Sequence, residues 1–568
     1  MLRPDDARRG RSTVHATRAM VATSQPLATV RALEVLKEGG SAVDAAICAN
    51  AVLGVVEPTG CGIGGDLMAL VHEPTGKAPV GYNGSGRSPR GLEREHFVDR
   101  GLAAIPARGG LSVSVPGCVD GWFALHERFG ELPFRRLLEP AIEAARDGFA
   151  LSPIIAAEWE RGLAALSEYR AFVDQFTLGG DAPRAGEVMR RTGLADVLER
   201  IADEGRAAFY GEIDAPSDLA TRIERAVAAE GGVLSAQDLA RHAGEWVEPL
   251  AVRYRDAEVF ELPGNTQGPA AALMLAICER FDVGSMPRGG VDRTHLFVEA
   301  KKRAFAARAR MIGDPTHHTS KGLDGSAMLD PAFVDEQVAA IDLARAGTEL
   351  AAGGPRVARG DTVTLSVADE RGQLVSLIQS NFRGFGSGVA PSGLGFVLQN
   401  RGELFDLSDD AGANGYAPGK RPFHTIIPGL ARRDERPWLA FGVMGGDTQP
   451  QGHLQVLSNL LDGSAEQVLD LQDAGDAPRV VHDGAVHPTG AAVAGADGLG
   501  EVLLEEGFAE EVATALEARG HRVRVGVPSL SGWFGGYQAV ARRSARDSAI
   551  AVYSGGSDGR KDGCAAGS

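Results

Sequence analysis

Asp361-Thr362-Val363-Thr364-Leu365-Ser366-Val367-Ala368 is the stretch on which the reading of this chain turns. Polar and apolar side chains alternate along it, the period-2 signature of a strand with two different faces. The ten residues before Thr362, Ala352 to Asp361, hold three Gly, two Arg and one Pro and read as exposed loop. A hydroxyl residue at a loop-to-strand junction is where a self-cleaving N-terminal nucleophile would stand. Were the Asp361–Thr362 bond cut, Thr362 would gain a free α-amine, with an ordinary pKa of roughly 7.7–8.0. Such an amine can take the proton of its own residue's Oγ at neutral pH. The same residues also suit an ordinary strand, since threonine favours β-structure.

Working outward, Leu374 to Ser380 forms a second strand-like run, and Asp369 to Gln373 reads as the hairpin connection between the two. With Thr362 opposite Ser380, the two Cβ atoms would lie ~5 Å apart on one face. A slip of one residue would turn Ser380 away. The N-terminal half reads as mainly helical, with helices at Pro26–Lys37, from a Ser41/Asp44 capping box through Val55, and at Leu137–Arg146, Asp218–Ala229 and His295–Met311. From Thr362 onward short strands and glycine turns dominate, with helices near Leu454–Leu461 and Ala509–Arg519. The first 14 or so residues and the tail after Tyr553 read as disordered from their composition.

The 568 residues exceed what one small core organises, and 44% hydrophobic with 23% charged residues is a globular composition. A net charge of −17 speaks against nucleic-acid binding, although a few arginines can reverse the field inside a cleft. Five scattered cysteines suggest neither a disulfide framework nor a zinc site. No apolar run reaches the roughly 18 residues of a membrane span. Met1 to Arg18 has no apolar core, so no secretory signal is read and a cytoplasmic protein is expected.

Gly60-Cys61-Gly62-Ile63-Gly64-Gly65 formally matches a dinucleotide fingerprint, but a helix precedes it and a strand, Leu67 to Val71, follows. That is the reverse of what the motif requires, so these glycines are expected to let backbone pass close to another element. Gly445-Gly446 follows an apolar strand and could aim successive N–H groups at an oxyanion, or be a plain turn. His424, after Pro422, could face a pocket or serve a structural hydrogen bond. His317-His318 has no partner at metal-ligand spacing, and no metal or cofactor is expected.

Taken together, these residues resemble the γ-glutamyltransferase family of N-terminal-nucleophile hydrolases. The resemblance runs from about residue 15 to residue 553. It is carried by Gly39-Gly40-Ser41-Ala42-Val43-Asp44, Gly62-Ile63-Gly64-Gly65, Ser114-Val115-Pro116-Gly117, Phe209-Tyr210-Gly211, Gly313-Asp314-Pro315, Lys420-Arg421-Pro422, Gly445-Gly446 and Asp476-Ala477-Pro478-Arg479. It implies an α/β fold, the four-layer α/β/β/α sandwich. It further implies self-cleavage at Asp361–Thr362 into a large subunit (1–361) and a small one (362–568), paired as a heterodimer or a dimer of heterodimers. By the same resemblance Thr362 is the nucleophile, Ser380 its supporting hydroxyl, and Gly445 and Gly446 the oxyanion hole.

Departures from the family pattern fall where a γ-glutamyl donor's α-amino and α-carboxylate groups would bind. Ser85 stands at the family arginine's position, with Arg87 two residues on. Leu404 stands at that of the family acid, with Glu403 beside it, and Arg401 replaces a family glutamine. His424 and Thr425 replace two serines, and Asn381 is shifted so that Phe382 occupies the family asparagine's slot. Candidate substrate-binding residues are therefore Thr364, Asn381, Arg87, Arg401, His424 and Thr425, with Arg87 and Arg401 as a carboxylate clamp. The pattern resembles the oxamate-amidohydrolase and glutaryl-acylase-like subgroup. It implies hydrolysis of a small amide whose acyl group keeps a carboxylate but needs no α-amine. The alternatives are a glutathione-type hydrolase, with Arg87 and Glu403 in shifted roles, and an unprocessed binding protein.

Overall fold

The computed structural model describes residues 10–74, 78–317, 324–347, 361–408, 412–464, 468–484, 500–544 and 550–568. The loop read at 352–360 and the first nine residues lie outside these. The hairpin predicted around residue 370 is present, its strands spanning Asp361–Ala368 and Leu374–Phe382. It forms the centre of a seven-stranded antiparallel sheet in the order Cys564–Gly567, Met20–Thr23, Asp361–Ala368, Leu374–Phe382, Asp66–His72, Val80–Asn83, Glu245–Val247. Residues on both sides of Asp361–Thr362 thus share one sheet. A second seven-stranded sheet runs Val14–Ala16, Ala551–Ser557, Gly536–Ser544, Arg436–Met444, Gly429–Arg433, Ala257–Glu261, Leu250–Tyr254.

The alternation read from the sequence assigns the faces. Val363, Leu365 and Val367 point outward into a core shared with the Pro26–Lys37 and Ala42–Val56 helices. Thr364, Ser366 and Ala368 point inward at the second sheet, among Met68, Leu430, Ala440 and Val540. On the far face of that sheet, Leu439, Phe441 and Val443 pack on the Gly268–Glu279, Val291–Met311 and Thr448–Leu461 helices. The result is the expected four layers, helix, sheet, sheet and helix. The intersheet layer carries hydroxyls among its apolar side chains. Ser366 Oγ donates to the Gln538 carbonyl at 3.3 Å and Ser376 Oγ to that of Phe441 at 2.8 Å. Gly442 makes room there, since a Cβ on it would sit 2.2 Å from Thr364 Oγ.

One expectation fails. The residues after Tyr553 are not disordered: Ala551–Ser557 and Cys564–Gly567 are strands of the two sheets. Their glycines misled because they serve close packing rather than flexibility. A Cβ on Gly555 would lie 2.6 Å from Met20 Sδ. Among the described residues no helix is long and apolar enough to cross a membrane.

Candidate active site

The site begins with a row of polar side chains across three strands. Val363 pairs with Gln379, and an irregularity in the ladder separates that pair from Asp361 and Phe382. At this irregularity Thr362 Oγ donates to Ser380 Oγ at 3.1 Å. On its other side Ser380 pairs with Asp66, the first residue of the next strand. All three side chains are buried. Ser380 Oγ also accepts from the Phe382 N–H at 2.8 Å and from Arg401 Nη2 at 3.2 Å, and donates to the Asp361 carbonyl oxygen at 3.0 Å. Phe382 holds φ +78°, a strained conformation for a bulky residue, and the sharp turn it makes follows directly on Ser380 and Asn381.

The glycine stretch 60–65 wraps this row, as its spacing predicts. A Cβ on Gly60 would lie 3.1 Å from the Thr362 nitrogen, and one on Gly65 2.4 Å from the Ser380 carbonyl oxygen. Asn381 holds the same loop, donating from Nδ2 to the Cys61 carbonyl at 3.0 Å. Gly445 and Gly446 sit at φ +123° and +62°. Among the described residues neither N–H finds an acceptor. Their turn is braced from behind by Gln267, whose Nε2 donates to the Gly446 carbonyl at 2.8 Å and to that of Thr425. Arg308 Nη1 in turn donates to Gln267 Oε1 at 2.6 Å and to Asp447 at 2.8 Å. Thr362, Asp361 and Gly445 share the lining of a cavity of about 300 Å³ with Ile154, Arg161 and Lys561. A larger cavity of about 690 Å³, beside Arg433 and Trp438, shares none of these residues.

Arg401 is the site's charge. It is fully buried, and its Nη1 donates to Thr425 Oγ1 at 2.8 Å. The guanidinium lies 4.2 Å from the centroid of the Phe382 ring, and its Nε has no partner. Burial pulls its pKa down to about 9 against the pull of Asp66 and Glu403, yet among the described residues no carboxylate ion-pairs with it. Asp66 is spoken for otherwise. Its Oδ1 accepts from the Gly86 and Gly117 N–H groups and from Gln399, and its Oδ2 faces His424 Nε2 at 3.0 Å. Burial raises Asp66 to about 7 and holds His424 neutral, well below the ordinary histidine value.

Arg87, proposed as the second half of a clamp, belongs to another network. Its guanidinium pairs with Asp314 at 2.9 Å and Glu245 at 3.2 Å, and no contact among the described residues ties it to Arg401. Glu403 likewise pairs with Arg383 at 2.6 Å. Thr364 packs on Gly442 deeper in the intersheet layer, its hydroxyl without a partner. His424 serves Asp66, while Thr425 faces Arg401. Sequence reasoning missed Asp66, Gln399, Gln267 and Arg308. Only Asp66 carried a signal, as an acid opening a strand directly after the glycine stretch.

Among the described residues one cluster brings metal-ligating side chains together. His295, Glu299 and His521 are buried with their ligand atoms within 4.8 Å of one another. Their needs are already met, because the imidazoles hydrogen-bond each other at 2.7 Å and Lys302 holds Glu299 Oε1 at 2.7 Å.

Comparison with known proteins agrees with this geometry. Residues 28–568 match the Gamma-glutamyltranspeptidase family model. The chain belongs to the γ-glutamyltranspeptidase family. It is 35% identical to the glutathione hydrolase-like YwrD proenzyme of Bacillus subtilis, over 79% of this chain and 83% of that one. It is also 35% identical to the oxamate amidohydrolase proenzyme of Klebsiella pneumoniae subsp. pneumoniae, over 77% and 80%. The crystal structure of cephalosporin acylase from Bacillus halodurans superposes with a TM-score of 0.86 at 36% identity, covering 100% of this chain and 99% of that one. The γ-glutamyltranspeptidase relative is thus an amide-cleaving enzyme with the N-terminal-nucleophile fold.

Proposed function

We propose that this enzyme cuts itself between Asp361 and Thr362 and then hydrolyses amides of small acyl groups that carry a carboxylate, of the oxamate or glutaryl type. Thr362 Oγ attacks the amide carbonyl, its α-amine receives and returns the proton, and the Gly445 and Gly446 N–H groups hold the oxyanion. An acyl-enzyme forms and water releases it. The large subunit is 1–361 and the small one 362–568.

Arg401 carries the assignment of substrate class. A buried guanidinium whose hydrogen-bond partners are only hydroxyls, with one aromatic ring against it, is costly unless an anion joins it, and this one stands one hydroxyl away from the nucleophile. A carboxylate on the acyl group is the anion that chemistry calls for. The glutathione-type alternative needs Arg87 and Glu403 to meet an amino acid head group, and both are engaged elsewhere. Turnover of oxamate against a γ-glutamyl anilide at equal concentration tests the reading. Faster oxamate hydrolysis supports it, and faster γ-glutamyl hydrolysis sinks it.

A further inference from the structure

Self-cleavage poses a problem that the later reaction does not. Before the cut the Thr362 nitrogen is an amide, so the α-amine that later serves as base does not yet exist. Thr362 Oγ must lose its proton to something else, and the Asp361 carbonyl oxygen must be charged or protonated as the carbon is attacked. One side chain touches both ends of this requirement. Ser380 Oγ accepts from Thr362 Oγ at 3.1 Å and donates to the Asp361 carbonyl oxygen at 3.0 Å. Among the described residues no other side chain hydrogen-bonds both groups. The Ser380 oxygen is further held by the Phe382 N–H at 2.8 Å and by Arg401 Nη2 at 3.2 Å, and a cationic donor on a hydroxyl oxygen makes its own O–H a stronger donor.

We propose that Ser380 is the proton shuttle of self-cleavage and that Arg401 is a positioning residue that acts through it, an inference that rests on Thr362 being the self-released nucleophile. In the first step the Thr362 Oγ–H proton passes to Ser380 Oγ while the Ser380 proton passes to the Asp361 carbonyl oxygen. The Thr362 Oγ–C bond forms, leaving a neutral tetrahedral carbon that bears a hydroxyl. In the second step the C–N bond breaks and the carbonyl re-forms. The hydroxyl proton returns through Ser380 to the departing Thr362 nitrogen. The product is an ester between the Asp361 carbonyl and Thr362 Oγ, with a free α-amine. Water then hydrolyses the ester, its OH going to Asp361 and its remaining proton to Thr362 Oγ. No external base is required, and no charge accumulates in a buried site where charge is expensive.

Arg401 would then serve twice, first on the chain's own carbonyl through Ser380 and later on the substrate's carboxylate. The two roles separate in experiment. The full chain is made by cell-free synthesis, and the loss of uncut 59.4 kDa precursor is followed by intact mass. Ser380→Ala and Arg401→Gln are expected to slow the cut at least ~10-fold, whereas Ser380→Thr and Arg401→Lys, which keep the hydroxyl and the cation, stay within a few-fold of wild type. Thermal melting is compared in a Thr362→Ala background, which is expected to stay uncut. Adding Arg401→Gln there should leave Tm essentially unchanged, separating a proton-transfer defect from a folding defect. Processing of Ser380→Ala or Arg401→Gln at the wild-type rate would overturn the proposal. So would slowing by Arg401→Gln that Arg401→Lys does not rescue and that tracks a fall in Tm. If Arg401→Gln cuts normally but loses carboxylate-bearing substrates, the shuttle's positioning residue is wrong and the substrate reading stands. If the wild-type chain is never cut, the substrate-class reading falls with it.

Discussion

Replacing Arg401 by Gln should remove the enzyme's preference for a charged acyl group and leave its chemistry on a neutral one nearly intact. The guanidinium is wholly out of water, offers Nη1 and Nη2 to hydroxyls, and keeps Nε without a partner. A substrate carboxylate reaching it would make charge-assisted hydrogen bonds with no bulk water to weaken them. Truncating one partner of such a desolvated pair costs about 2–5 kcal/mol. That corresponds to a loss in kcat/KM of about thirtyfold to several thousandfold. The assay compares two donors with the same scissile amide, one carrying the carboxylate and one carrying an uncharged group of similar size. Rates are normalised to the cleaved protein, counted by intact mass, so that incomplete processing does not masquerade as poor catalysis. Near neutral pH the wild-type guanidinium is charged, since burial brings its pKa only to about 9. The neutral donor should lose less than about threefold in the variant. Equal losses on both donors would refute the reasoning, because Arg401 would then be supporting the site rather than reading the substrate.

Three further outcomes are expected. Gln267→Ala should lower kcat ~10- to 100-fold with little change in KM, since Gln267 braces the Gly445-Gly446 turn whose N–H groups are needed most at the transition state; an unchanged kcat in steady-state kinetics would remove the brace from the mechanism. Gly64→Ala should destabilise the fold by ~1–3 kcal/mol or more, read as a fall in Tm, because its Cβ would sit 2.0 Å from the Val397 carbonyl oxygen. Asp66, raised to about 7 in the fold, binds its proton more tightly there than in the unfolded chain. Its contribution to stability is therefore fully present below its unfolded pKa of about 4 and is lost as pH rises through 7. Asp66→Asn should flatten the decline in denaturant stability across that window, and an unaltered slope would contradict the shift.

How far the sequence could be read follows from the range of the interactions involved. The Pro26–Lys37 helix, the Ser41 capping box and the central hairpin depend on neighbours a few residues away, and the sequence predicts them closely. The Thr362–Ser380 side-chain contact was legible too, because the hairpin's register brings the two residues together, although the ladder is irregular at that point. What escaped is what crosses the intersheet layer or joins distant segments. Asp66 meets His424 across 358 positions, and Gln267 meets Gly446 across 179; no local period encodes either. Arg87 misled because a residue's place along the chain says nothing about which acid claims it, and Asp314 and Glu245 lie far off in sequence. Arg401 shows the converse. Next to Asn400 and two residues before Glu403, it could have been a surface arginine, and only the fold reveals that Glu403 is taken by Arg383 and Asp66 by backbone amides, glutamine and histidine. Other buried arginines of this fold meet a carboxylate, as Arg308 meets Asp447 and Arg479 meets Asp558, or a set of backbone carbonyls, as Arg191 does. That Arg401 hydrogen-bonds only to hydroxyls and rests on the Phe382 ring, beside the residue that must attack a carbonyl, argues that its counter-ion is brought by the substrate.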